Sequence, residues 1–215
     1  MQPAIYFDLD GTLTDPRIGI TRCIQYALRE LDCDVPEADK LLWCIGPPLL
    51  QSFEKLLDAE RAPRALALYR ERFADVGLYE NEIYAGIREL LPQLRASGYQ
   101  LQVASSKPQV FVTRILDHFE ISRCFDAVFG SELDGTRTDK TELLAHALRQ
   151  TGHSAAQACM VGDRKHDAIG ARNNQLRFIG VLYGYGDAAE LSQAGAWELV
   201  DAPAQLRSVF CSTSQ

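Results

Sequence analysis

The chain has 215 residues, 47% of them hydrophobic and 24% charged, with a formal net charge of −7. A chain of this length buries roughly 70% of the surface its unfolded form exposes, enough for one sizeable domain with a smaller insert and no disulfide staples. The acidic balance argues against a nucleic acid polymer or an anionic membrane as partner, and no window approaches the roughly 20 apolar residues of a membrane span. The N-terminus reaches Asp8 after only a few apolar residues, so it has no signal-peptide core. Six scattered cysteines (Cys23, Cys33, Cys44, Cys124, Cys159, Cys211) form no CxxC pair and have no zinc-spaced histidine. These features predict a cytoplasmic protein with reduced, mostly buried thiols. Cys44 lies in a loop that can face substrate, and it reads as a small packed hydrophobe.

The first predicted element is a buried strand, Ala4 to Phe7, which ends at Asp8-Leu9-Asp10-Gly11-Thr12. From about Pro16 to Tyr79 no strand pattern intervenes. Ile20, Cys23, Ile24, Ala27, Leu28 and Leu31 make one helical stripe, followed by shorter helical pieces at Leu49 to Leu57 and Pro63 to Phe73. So long a segment after one strand is too long for a loop and predicts an inserted helical subdomain over residues 16–79. Beyond it, strands at Tyr99 to Ala104, Asp126 to Phe129, Ala158 to Val161 and Phe178 to Leu182 alternate with helical patterns. Ile87, Leu90, Leu91 and Leu94 run before Ser97-Gly98, and Leu143, Leu144, Ala147 and Leu148 before Gly152. A weaker strand at Trp197 to Val200 and a helix from Pro203 close the chain. Alternation of this kind is the pattern of a parallel sheet covered on both faces. The expected architecture is a Rossmann-like α/β core, residues 1–15 and 80–215, with a small helical cap inserted at 16–79.

Chemistry-bearing residues fall where strands end. Two carboxylates one residue apart at the end of a buried strand are costly for folding alone. Ligands in open α/β sheets bind at that edge, and the Asp8–Asp10 pair with Gly11 and Thr12 reads as the signature of an aspartate that accepts a phosphoryl group. Ser105-Ser106-Lys107 follows the second core strand, Lys140 sits in Thr138-Asp139-Lys140, and Gly162-Asp163-Arg164-Lys165-His166-Asp167 follows the fourth. Taken in order and strand context, these four motifs resemble the haloacid dehalogenase-like hydrolase superfamily across essentially the whole chain.

That resemblance implies a division of labour with a physical reason behind each part. An Asp8 carboxylate, ionised at neutral pH, can attack phosphorus directly. The meeting of two anions calls for a hard cation, and Mg²⁺ suits oxygen ligands from Asp8, Asp163 and the Asp10 backbone carbonyl, with Asp167 acting on metal-bound water or orienting the loop. Asp10 would protonate the leaving alkoxide and then take a proton from the hydrolytic water. Thr12, Ser105, Ser106 and Lys140 would hold the transferring phosphoryl group, and Lys107 is expected at the surface. Arg164, Lys165 and His166 read as a solvated loop partnering Asp163, Asp167 and Asp139, with attraction of an anionic substrate as the other reading. Arg137 and Tyr183-Gly184-Tyr185-Gly186 fall at the same edge and can line an entrance.

Within the superfamily the chain resembles the phosphoglycolate phosphatase-like branch. The Ile45-Gly46-Pro47-Pro48-Leu49 loop and the segments around Lys140, Asp163 and Gly184 are most similar to a bacterial subgroup described as 5′-nucleotidases. This implies a small phosphorylated metabolite as partner, a nucleoside monophosphate above all, and a monomer or small homo-oligomer. Arg17 and Trp43, with Phe53, Tyr69, Arg72 and Phe73, are the candidate cap residues for stacking on and charging against it. The other readings are a phosphoglycolate or other small organic phosphate phosphatase, and a phosphomutase of the same fold. A phospho-accepting receiver module is opposed by Asp10 and the insert. A phosphonate hydrolase would need Lys40 or Lys55 at the site.

Overall fold

In the computed structural model, which describes residues 3–211, six parallel strands form one sheet in the order β5-β4-β1-β6-β7-β8. These are β1 (Ala4–Phe7), β4 (Gln100–Pro108), β5 (Ala127–Ser131), β6 (Ala158–Gly162), β7 (Arg177–Val181) and β8 (Glu198–Val200). All four residues of β1 are buried, as expected for a central strand covered on both faces. Alternation along it divides the core. Ile5 and Phe7 join a cluster with Leu91, Ile115 and Leu206, from α4 (Ile87–Ala96), α5 (Gln109–His118) and α9 (Pro203–Cys211). Ala4 and Tyr6 pack on the opposite face with Leu144, Ala171 and Leu191, from α6 (Lys140–Thr151), α7 (Lys165–Asn173) and α8 (Ala188–Ala194).

The order has one functional consequence. The chain lays β4 and β5 on one side of β1, then crosses to lay β6, β7 and β8 on the other. Crossovers that leave in opposite directions open a crevice at the carboxyl end of β1, where Asp8 stands.

Between β2 (Thr14–Asp15) and β3 (Glu82–Ile83) the chain is free of strands. It forms α1 (Arg17–Arg29), a 3₁₀ segment at Ala38–Cys44, α2 (Leu49–Leu56), α3 (Ala62–Arg72) and a π-turn at Phe73–Gly77. β2 and β3 pair antiparallel, Thr14 with Ile83 and Asp15 with Glu82, and carry the chain out and back. Two residues per strand are too few to show a period in the sequence, so this ribbon was not expected. The stripe from Ile20 to Leu28 is buried, whereas Leu31 is only half-buried, beyond the end of α1. No helix among the described residues is long and apolar enough to cross a membrane.

Candidate active site

Asp8 follows β1 directly, and its backbone N–H donates to the Val161 carbonyl at 2.9 Å, which holds it between the ends of β1 and β6. Asp163 follows β6, and Asp167 lies two residues into α7. The three carboxylates are buried, and oxygens from each lie within 4.8 Å of one another.

Asp163 is packed on two sides by backbone. Gly11, at φ +83°, and Gly184 both approach its side chain so closely that a Cβ at either position would collide with it. Its Oδ2 accepts the Tyr185 N–H at 2.8 Å, and its Oδ1 lies 3.4 Å from the Thr12 hydroxyl. The Tyr183-to-Gly186 segment therefore buttresses Asp163 instead of only lining an entrance. Thr12, expected on the phosphate, directs its hydroxyl to Asp163 in this structure.

Asp167 has two partners on opposite sides. Oδ2 accepts the Arg164 N–H at 3.1 Å, capping the start of α7, and Oδ1 lies 2.7 Å from Lys140 Nζ. One carboxylate thus both caps α7 and pairs with Lys140. Lys140 is aimed by its own cap. Asp139 accepts the Thr141 and Glu142 N–H groups at 2.9 and 3.1 Å, which starts α6 at Lys140. From there Nζ reaches Asp8 Oδ1 at 3.0 Å and the Ala104 carbonyl at 2.9 Å, with the side chain only 4% exposed. Burial alone would lower the Lys140 pKa, but the Asp167 and Asp8 carboxylates outweigh it and raise the value above the ordinary one.

One lysine against three carboxylates leaves the cluster formally short of two positive charges. Burial, then Asp167 and Asp8, push Asp163 well above the ordinary carboxyl range. Burial raises Asp167 to about 6 even though Lys140 opposes it. Asp8 Oδ1, although close to Lys140, accepts no well-directed hydrogen bond among the described residues. Hard oxygen donors, excess negative charge and an unfilled acceptor together fit a divalent cation.

A cavity of about 210 Å³ opens over this edge. It is lined by Asp8, Asp10, Ser105, Ser106 and Lys107 from the core and by Pro47, Pro48, Leu49, Tyr69 and Phe73 from the insert. Ser105 and Ser106 are thus brought beside Asp8, while Lys140 stands behind it. Lys107 was expected at the surface and is instead 7% exposed, with Nζ 2.8 Å from Asp10 Oδ2. The β4–β5 register shifts between Ser105 and Pro108, where β4 advances three residues against one of β5, and an irregularity of this kind has no sequence signature. Burial raises the Asp10 pKa against the opposing pull of Lys107. The Tyr69 hydroxyl is buried at the same cavity without a hydrogen-bond partner among the described residues.

Other expectations divide. Arg17 and Trp43 do not line this cavity. They face a separate groove with Tyr84, Arg164 and Tyr185, and Arg17 is paired with Asp39 at 2.6 Å. Phe53 is buried inside the insert and Arg72 is bound to Glu80 at 2.8 Å. Arg164 is not a solvated partner of Asp163. Its Nε pairs with Glu190 at 3.0 Å and its Nη1 donates to the Ile45 carbonyl, tying α7 to the loop before α2. Arg137 pairs with Glu132. Lys55 lies over the Trp43 ring at 5.7 Å, and neither it nor Lys40 lines the cavity. Cys44 does reach the cavity wall, but burial raises its thiol to about 12, so it is no nucleophile there.

The arrangement is a parallel sheet with a helical insert after its first strand and acidic residues at the ends of β1 and β6. A family model described as haloacid dehalogenase-like hydrolase matches residues 5–181, and the chain belongs to that family. Among its relatives, a 5′-nucleotidase of Pseudomonas aeruginosa is 52% identical over 191 residues, 88% of this chain and 86% of the relative. A tyrosine-protein kinase, PtkA, of Mycobacterium tuberculosis is 39% identical over 184 residues, 86% of this chain but only 63% of the kinase. A crystal structure described as a predicted phosphatase from Clostridium acetobutylicum superposes with a TM-score of 0.95 at 40% identity, covering 99% of each chain.

Proposed function

We propose that the protein is a Mg²⁺-dependent phosphate monoester hydrolase that works through an aspartyl-phosphate, with 5′-nucleotides as its substrates. The observation that carries this is the joint presence of Asp8 and Asp10 on one cavity wall with Ser105 and Ser106, directly against the Asp163–Asp167–Lys140 cluster. Asp8 Oδ attacks phosphorus as the ester P–O bond breaks, and Asp10 gives its proton to the departing alkoxide. A water then attacks the Asp8 phosphate, Asp10 takes the proton back, and inorganic phosphate leaves. A positioned acid contributes about 10²- to 10⁴-fold in such a step, and the raised Asp10 pKa is in the direction this requires.

Asp8, Asp163 and the Asp10 backbone carbonyl would hold Mg²⁺, and Asp167 would orient them. When bound, the ion supplies the positive charge that lets a carboxylate approach a phosphate. Ser105 and Ser106 hold the phosphoryl oxygens, Lys140 offsets the negative charge from behind Asp8, and Thr12 fixes Asp163. Residues 16–79 act as a cap on the core formed by 1–15 and 80–215. Its Pro47, Tyr69 and Phe73 exclude water from the reacting phosphate, and the mostly apolar wall suits a nucleoside better than a second anionic group. The relative named 5′-nucleotidase supports this choice. Buried free thiols at Cys23, Cys44 and Cys159 accord with a cytoplasmic setting.

The test is phosphate release with Mg²⁺ from p-nitrophenyl phosphate, then from 5′-nucleotides, phosphoglycolate and sugar phosphates. Activity that survives Asp8→Asn, or is absent from the wild type, rejects the reaction. A ranking by kcat/KM with no nucleotide near the top rejects only the substrate.

A further inference from the structure

The chemistry just proposed does not call for Lys107, yet its side chain is among the most constrained in the cavity. Nζ lies 2.9 Å from Asp10 Oδ1 and 2.8 Å from Oδ2, so one ammonium grips both oxygens. On its other side it lies 4.5 Å from the centre of the Phe73 ring, in cation–π range. Phe73 is itself fixed from two directions. It stacks on Tyr69 of the insert, with centroids 5.3 Å apart and an interplanar angle of 12°, and meets the edge of Phe111 from α5 at 5.3 Å. The wall behind Lys107 is thus built jointly by insert and core.

A carboxyl group that must protonate a leaving oxygen loses rate if it is free to rotate away from it. An ammonium is a donor only. Beside a protonated Asp10 it can bind only the unprotonated oxygen, which turns the O–H away from Lys107 and toward the cavity. We propose that Lys107 is a positioning residue for proton transfer: it orients the Asp10 carboxyl toward the ester oxygen, and Phe73 makes that hold complete only when the insert is seated. The inference rests on the phosphatase reading.

Phenyl phosphate and p-nitrophenyl phosphate test it, because they have nearly the same shape but nitrophenolate departs without a proton. Lys107→Met keeps the length and removes the charge. The expected result is a fall in kcat/KM for phenyl phosphate of about 10²-fold, the low end of a general acid's contribution, against a much smaller fall for p-nitrophenyl phosphate. KM should change little for either, and Lys107→Arg should recover part of the phenyl phosphate activity. Phe73→Leu, which leaves the ion pair in place, should give the same selectivity in weaker form, and it carries the test if Lys107→Met fails to fold by circular dichroism. Equal losses on both substrates, a rise in KM as the main effect, or no loss overturns the inference. Wild-type protein that hydrolyses neither ester rejects the phosphatase reading and this inference with it. Uniform losses in the variants of an active, Asp8-dependent enzyme reject this inference alone.

Discussion

Lys140→Met removes the cation that contacts the acidic cluster among the described residues while nearly conserving side-chain length, so little cavity forms and the electrostatic loss dominates. In the native protein Lys140 Nζ lies 2.7 Å from Asp167 Oδ1, 3.0 Å from Asp8 Oδ1 and 2.9 Å from the Ala104 carbonyl. Deleting one partner of such a buried set costs about 3–5 kcal/mol, because the remaining charges stay in a poorly polarisable interior without compensation. In a chain of this size each kcal/mol moves Tm by about 2–4 °C, so Tm in excess chelator should fall by about 6–20 °C. A cation that binds only the folded carboxylates adds about 2.7 kcal/mol at one hundred times its Kd. Saturating Mg²⁺ should therefore raise the variant's Tm, and by more than it raises the wild type's, since the variant's site is more negative. Thermal unfolding followed by circular dichroism, in chelator and in Mg²⁺, reads both numbers. A loss in chelator below about 1 kcal/mol, or a Tm indifferent to Mg²⁺ in both proteins, would refute the account of the cluster.

Tyr69→Phe deletes a buried hydroxyl that has no partner among the described residues, so urea unfolding should show the ligand-free protein unchanged or slightly more stable. With substrate, kcat/KM should drop about 2- to 10-fold, the worth of one ordinary hydrogen bond; destabilisation with unchanged kinetics would show that the hydroxyl does not meet substrate. His153 offers a pH test away from the site. Its Nε2 lies 2.8 Å from Gln100 Oε1 and its Nδ1 2.8 Å from the Tyr6 hydroxyl. Burial lowers its pKa from the ordinary 6.5 despite an opposing pull from Asp126. The unfolded chain therefore binds a proton first, and this stability, present above about 6.5, is lost as pH falls through the lower folded value. His153→Gln should flatten that part of a urea-unfolding pH series, and an unchanged slope would count against it.

Elements with an apolar period are legible in the sequence. The strand at Ala4 to Phe7 and the α2 piece from Leu49 emerge almost residue for residue, because burial on one or both faces writes itself into the spacing of Leu, Ile and Phe. The β2–β3 ribbon was not legible, since two residues carry no period. Neither were the partners of Lys107 and Arg164. Both are cations in motif segments full of polar residues, and nothing local tells whether such a side chain turns outward or inward. Lys107 turns to Asp10, 97 residues away, and Arg164 to the Ile45 carbonyl, 119 residues away. Arg17 and Trp43 face a second groove instead of the cavity over Asp8, and nothing in the local sequence says which of the two a cap residue will line.

By itself the sequence determined the parallel core, the helical insert and the types of residue that can meet a phosphate, because strand periodicity and the need to justify charge at a strand end are local constraints. Which of those residues touch one another was decided only in three dimensions. Asp8 and Asp163 are 155 positions apart, and only the pairing of β1 with β6 makes them neighbours. Asp10 and Lys107 meet because β4 lies beside β1. Coulomb forces among buried groups act over a few ångströms of space, and sheet order sets those distances.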